Sequence, residues 1–143
     1  MLDASVALKW HLRDENHTAE ADSLYDSFVT GHIELTAPHY IRYEVANGLE
    51  MARVQGRLGS GEVVTELSSF LDLGLGLDQD TDELLYGALE LSQRYTITPY
   101  DGLYLALAEH AGLSFVTADG RLYRRIHGAV SYARWIGDVT VSS

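Results

Sequence analysis

Residues 98–120 read TPYDGLYLALAEHAGLSFVTADG, and the fold follows from how this stretch is parsed. Thr98-Pro99 is a helix start, because Thr is a good N-cap and Pro is tolerated at the first helical position. From Leu103 to Ala111 the segment is apolar nearly all round, which predicts a helix buried on every side. Gly112 ends it in the left-handed conformation that glycine adopts without a Cβ penalty. Leu113-Ser114-Phe115-Val116 is then an apolar run of strand length. Two acids bracket the unit: Asp101 in the first helical turn and Asp119 just past the strand. Sites in open α/β sheets form where strands end and loops begin, so the two carboxylates can meet at one rim. Singly, each has a plainer reading. Asp101 could complement the helix dipole or the Thr98 cap, and Asp119-Gly120 could be an ordinary turn.

Working outward, residues 82–94 carry Leu85, Ala88, Leu89 and Leu91 at helical spacing, and residues 73–77 form a glycine-diluted strand. Gly59-Ser60-Gly61 breaks the chain ahead of a helix over residues 62–73, with Val63, Leu67, Phe70 and Leu71. Pro38 opens a longer helix reaching Val54, striped by Ile41, Val45, Leu49 and Ala52. A short strand spans residues 33–36. An amphipathic helix over residues 16–29 is closed by Gly31. At the start, Met1-Leu2 is a brief strand leading through Asp3 into a short helix that carries Val6, Ala7, Leu8 and Trp10. Downstream come a helix over residues 122–126 and a last strand over residues 130–132; the tail from Val139 is too short to interpret. Short strands alternating with helices predict a parallel sheet covered on both faces, within a single domain over residues 1–143. No internal repeat or linker interrupts it.

The composition fits a globular α/β protein, with 46% hydrophobic and 22% charged residues. The absence of cysteine excludes disulfides and thiolate metal sites and fits a reducing cytoplasm. No apolar run approaches the length of a membrane span, and MLDASVALKWHLRDE lacks the basic start of a signal peptide. The six histidines show no metal-ligand spacing. A net charge of −11 argues against a broad electrostatic nucleic-acid binder, but its distribution is uneven. Residues 58–93 hold eight acids and no Lys or Arg, whereas residues 120–137 hold Arg121, Arg124, Arg125 and Arg134 and no acid. Such a basic strip beside an acidic rim can hold phosphates.

Two further acids sit at comparable places. Asp3 lies at a strand-to-helix junction, where a helix N-cap is the plain alternative. Glu44 lies beside the apolar stripe of its helix, with Asn47 on the same side. Four converging carboxylates repel one another and raise some of their pKa values, so the arrangement calls for a cation. Mg²⁺ and Mn²⁺ favour carboxylate oxygen, and such ions activate water and clamp phosphodiester oxygens.

The segments LDASVALKW, YEVANGL, TPYDGLYLALAEHAG and FVTADGRL, in this order and spacing, resemble the PIN-domain family and, more narrowly, the VapC-type toxins of toxin–antitoxin pairs. The resemblance covers nearly the whole chain. It implies a three-layer α/β/α sandwich with a short, mainly parallel sheet. It also implies a cytoplasmic endoribonuclease dependent on Mg²⁺ or Mn²⁺, commonly a homodimer, neutralised by a cognate antitoxin. The family's acidic quartet falls on Asp3, Glu44, Asp101 and Asp119 as metal-holding residues, with Thr117 in support. In a chain this acidic, Arg121, Arg124 and Arg125 are the expected contacts to RNA phosphates, with Lys9, near Asp3 in sequence, a further candidate. One departure is that only Met1 and Leu2 precede Asp3, where the family carries a longer strand. A partner surface is expected around residues 63–73 and the amphipathic pair of helices before them, whose acidic surroundings suit a basic partner segment. Two other readings compete. A haloacid-dehalogenase-type phosphatase needs a second Asp two residues after the first, where this chain has Ser5. A non-catalytic PIN-like module would bind RNA or protein without cutting.

Overall fold

The computed structural model of the chain describes residues 1–140; residues 141–143, the end of the uninterpreted tail, lie outside the described residues. After extended residues 1–3 come α1 (Ala4–Ala7), which tightens into a 3-10 turn (Leu8–Trp10), and α2 (Thr18–Val29). Next are β1 (Thr36–Pro38), α3 (Ile41–Val54), α4 (Ser60–Leu71), β2 (Gly76–Asp78) and α5 (Asp82–Tyr95). The chain continues through α6 (Pro99–Ala111), β3 (Phe115–Thr117), α7 (Gly120–Ile126) and β4 (Ala133–Trp135) into a closing 3-10 turn (Ile136–Asp138).

β1 pairs with β2 and β3 with β4, both in parallel. Residues 1–3 join these halves. The Leu2 amide donates to the Thr36 carbonyl at 2.8 Å on one side, and on the other Leu2 forms a parallel bridge with Val116. The Asp3 amide donates to the Val116 carbonyl at 3.0 Å, and the Val116 amide to the Met1 carbonyl at 3.0 Å. Met1 and Leu2 thus hydrogen-bond between the two strand pairs, at the centre of the sheet. Successive strand residues point to opposite faces. Accordingly, Leu2 and Val116 pack with Val6, Ile41, Val45, Leu49 and Phe70, whereas Met1 and Phe115 pack with Leu103, Tyr104, Leu107, Leu122 and Ile126. Helices α1–α4 line the first of these cores and α5–α7 the second, giving the expected α/β/α sandwich.

Helix α6 matches its sequence closely. The Thr98 hydroxyl caps it by accepting from the Asp101 amide at 3.1 Å, Gly112 ends it at φ 66°, and residues 102–108 are all buried. Glu109, His110 and Ala111 are exposed, so the all-round burial expected up to Ala111 stops a turn short. Gly102 allows a contact that no side chain could: a Cβ there would stand 2.2 Å from the Ala88 carbonyl oxygen. The α5–α6 spacing, and with it the depth of neighbouring Asp101, is set by backbone contact.

All four strands lie further along the chain than their sequence suggests, β3 among them at residues 115–117 rather than 113–116. β1 covers residues 36–38 rather than 33–36, and Pro38 closes the strand instead of opening α3. A proline lacking its N–H is tolerated where pairing stops. β2 moves from residues 73–77 to Gly76–Asp78. β4 moves from residues 130–132 to Ala133–Trp135, because the Val130 amide bonds back to the Ile126 carbonyl at 2.8 Å, in the turn that finishes α7. Helix α4 starts two residues early, at Ser60, where the Glu62 carboxylate reaches back to accept from the Gly59 amide at 2.6 Å.

Candidate functional site

Asp3 ends the central strand and stands at the N-cap position of α1, but its side chain caps nothing there. Its Oδ2 instead accepts two hydroxyl hydrogen bonds, from Ser5 Oγ at 2.5 Å and from Thr117 Oγ1 at 2.6 Å. Both hydroxyls are held in turn by backbone. Ser5 Oγ accepts from the Ala118 amide at 2.9 Å, and Thr117 Oγ1 from the Asp119 amide at 3.0 Å. Each hydroxyl spends its one proton on Asp3 and fills a lone pair from the β3–α7 corner. Burial pushes the Asp3 carboxyl up to about 6 despite these two bonds, with smaller upward pressure from Asp101 and Asp119.

Glu44 lies in the first turn of α3, half-buried, and accepts from the hydroxyl of fully buried Tyr104 at 2.8 Å. Burial pushes it up to about 7, and the Asp3 and Asp101 charges add to that against the Tyr104 bond. Asp101, in the first turn of α6, is raised by burial and by Asp119, with Thr98 opposing. Asp119 is exposed and caps α7, its Oδ1 accepting from the Arg121 and Leu122 amides at 2.9 and 3.1 Å. Asp119-Gly120 is thus a helix cap rather than the ordinary turn its sequence also allowed, and the cap leaves Oδ2 uncommitted.

All four acids therefore meet at one rim of the sheet, near enough for each to perturb another. Among the described residues, none of the four forms an ion pair with Lys, Arg or His. Nor do any three His, Cys, Asp or Glu side chains among those residues stand at metal-ligating spacing. The donor set suits a hard cation in type, but only with one or two direct carboxylates and water completing the shell, which is how Mg²⁺ is commonly held.

A cleft of about 560 Å³ opens beside Asp101 and Asp119, walled by Gln93, Thr98, Arg121 and Arg125. Arg125 donates to the Thr96 carbonyl at 2.8 Å, which aligns its guanidinium along that wall. Arg121 and Arg124 are exposed on the same short helix. Lys9 requires correction. Its ammonium is buried and bonded to Glu15 at 3.2 Å, on the side of the core lined by α1–α4, so nearness to Asp3 in sequence does not bring it to the rim. Sequence reasoning missed Ser5 and Tyr104. A hydroxyl two residues after the first acid was a usable signal for Ser5. Tyr104 looked like one more large residue of a buried helix.

The PIN domain model matches residues 1–127, and the chain belongs to the PIN-domain family, on its VapC branch. Exonuclease VapC9 of Pyrobaculum aerophilum is 33% identical over 110 residues, covering 74% of this chain and 77% of that protein. The crystal structure of PAE2754 from Pyrobaculum aerophilum superposes with a TM-score of 0.68 over 95% of this chain and 89% of that one, at 23% identity, and supports the fold alone. Among the described residues no helix is long and apolar enough to cross a membrane.

Proposed function

We propose that the protein is a metal-dependent ribonuclease of the VapC type, acting on RNA phosphodiester bonds at the rim formed by Asp3, Glu44, Asp101 and Asp119. One observation carries this reading: four carboxylates lie close enough to perturb one another with no cationic partner among the described residues, and two of them, Asp101 and Asp119, line a cleft walled by Arg121 and Arg125, which form no ion pair there. A bound Mg²⁺ or Mn²⁺ would supply an activated water and charge neutralisation at the phosphate. The chain's own contribution is positional. Asp101 and Asp119 present carboxylate oxygen at the cleft, and Asp3 is aimed by Ser5 and Thr117. Glu44 is fixed by Tyr104 and, with its carboxyl pushed up to about 7, can take or return a proton near neutral pH. Arg121, Arg124 and Arg125 hold flanking phosphates. Homodimer formation, neutralisation by a basic antitoxin segment and residence in the cytoplasm extend the same reading. The exposed Val64 and Leu71 on α4 and Met51 and Val54 on α3 offer the partner surface.

The test is RNA cleavage by the purified protein with Mn²⁺ and with EDTA. Running linear and circular RNA in parallel separates internal cutting, expected here, from attack at ends, the activity named for the Pyrobaculum relative. A second reading, an RNA-binding module that does not cut, draws on the lack of three acids at ligating spacing among the described residues. Retention of RNA without any metal-dependent cleavage would establish it instead.

A further inference from the structure

Tyr100, the residue immediately before Asp101, keeps 63% of its surface in solvent. Single exposed aromatics are common; this one is distinguished by how firmly it is held. Pro99 restricts the chain just ahead of it. The Tyr40 ring meets the Tyr100 ring edge-on, with centroids 5.5 Å apart and planes at 80°, and the Tyr40 hydroxyl donates to the Tyr100 carbonyl. Tyr40 meets Tyr104 in the same fashion, at 5.5 Å and 88°, and Tyr104 donates to Glu44. Three rings thus form a column from the surface down to an acid of the site. A ring with two side-chain torsions, braced this way, has little freedom left to lose when a flat ligand settles on it.

We infer that Tyr100 is a base-stacking platform for single-stranded RNA, seating a base that neighbours the scissile phosphate on the Glu44 side of Asp101. This rests on the ribonuclease reading and extends it to substrate form. The arginine-walled cleft joins Asp101 to Asp119, whereas Tyr100 joins Asp101 to Tyr40 and Glu44. A strand crossing the acids meets positive charge on one side and an open ring on the other. Stacking on such a ring tolerates any base, because every base has a π-face. It also selects unpaired RNA, whose bases are free to leave their own stack.

The experiment compares wild type, Tyr100→Ala and Tyr100→Phe on a short single-stranded RNA with Mn²⁺, and on the same RNA carrying one abasic nucleotide at successive positions around the cut. Tyr100→Ala is expected to raise KM about tenfold or more with kcat little changed, and Tyr100→Phe to stay within about twofold of wild type. An abasic nucleotide at one position beside the cut should reproduce that loss in wild type and add nothing in Tyr100→Ala. An unchanged KM in Tyr100→Ala, or abasic and Ala losses that simply multiply, overturns the assignment. A Tyr100→Ala protein that turns from dimer to monomer with RNA cleavage unaffected assigns the ring to contact between copies and overturns it too. If wild type neither binds nor cleaves RNA, the ribonuclease reading falls and takes this inference with it. If wild type cleaves and Tyr100→Ala matches it, the stacking role falls alone.

Discussion

Acids on the α1–α4 side of the molecule and acids at the sheet rim are the same chemical groups in opposite circumstances. Asp14 is bonded by Arg57, Asp22 by Arg13 and Glu50 by Arg53, and in each case the arginine holds the carboxyl below its usual range. At the rim the direction reverses: Asp3, Glu44 and Asp101 are all raised, first by burial and then by their neighbours. Of the ten Lys and Arg residues, Lys9, Arg13, Arg53, Arg57 and Arg94 are engaged in ion pairs. Four of the other five, Arg121, Arg124, Arg125 and Arg134, sit together in α7 and β4. Among the described residues no Lys or Arg forms an ion pair with any of the four acids, although Arg121 and Arg125 share a cleft with Asp101 and Asp119. Charge left uncompensated at a cost marks where function is expected, and the free arginines mark where an anion would lie.

The contrast is broken most severely by removing a rim charge. Asp101→Asn should lower Mn²⁺-dependent RNA cleavage by about a hundredfold or more, since placement of the ion depends on that carboxylate. In EDTA the same protein should melt no lower than wild type, because like-charge repulsion is relieved. Retained cleavage removes Asp101 from the site.

The next effect is on pH dependence. A carboxyl raised from 3.8 to about 6 is protonated in the folded protein at pH values where it is ionised in the unfolded chain. The folded state then binds more protons, and its stability falls as pH rises between those two values. The two-unit shift of Asp3 corresponds to a cost of ~3 kcal/mol at neutral pH, present in full above about 6 and absent below about 4. Urea unfolding in EDTA at pH 5 and pH 8 should show wild type weaker at pH 8. Asp3→Asn should narrow the gap, and an unchanged gap would refute the burial of a charged Asp3.

Thr117→Val tests the support rather than the charge. It removes a donor to Asp3 and the acceptor of the Asp119 amide in one step. Leaving such partners unsatisfied should destabilise the protein by about 1–3 kcal/mol, read as a lower urea midpoint, with cleavage reduced as Asp3 loses its aim. The smallest change is expected on the paired side. Arg13→Gln breaks an exposed pair to Asp22, and exposed pairs contribute little and are screened by salt. Its melting temperature in high salt should match that of wild type, and a large loss would mean the two regions differ less than their geometry indicates.

Helix α6 was legible because Pro99, Gly112 and an unbroken apolar run are local signals that tertiary contacts reinforce. The strands were less so. Each is three residues long, and neighbouring apolar residues such as Ile33 and Val130 look equally suited to a ladder until backbone bonds elsewhere claim them. Asp3, Asp101 and Asp119 stood out because each sits at a boundary between elements, whereas Glu44 stood out only as an acid beside the apolar stripe of its helix. Ser5 and Tyr104 did not, since what singles them out is contact with Thr117 and Glu44, far along the chain. Lys9 misled for the converse reason: nearness in sequence says nothing of where a side chain is drawn, and Glu15 draws it away.

The threading of residues 1–3 between β1 and β3 has a consequence for the order in which the molecule is made. Asp3 is made well before the Thr117 hydroxyl that aims it, which lies 114 positions later. The middle of the sheet stays open until β3 has emerged, and contacts this distant in sequence are slow to close. A chain that has not yet reached β3 therefore carries Asp3 without the hydroxyl that aims it and with the sheet incomplete. Fragments ending before Phe115 should neither cleave RNA nor gain thermal stability from Mn²⁺, even with Asp3, Glu44 and Asp101 all present.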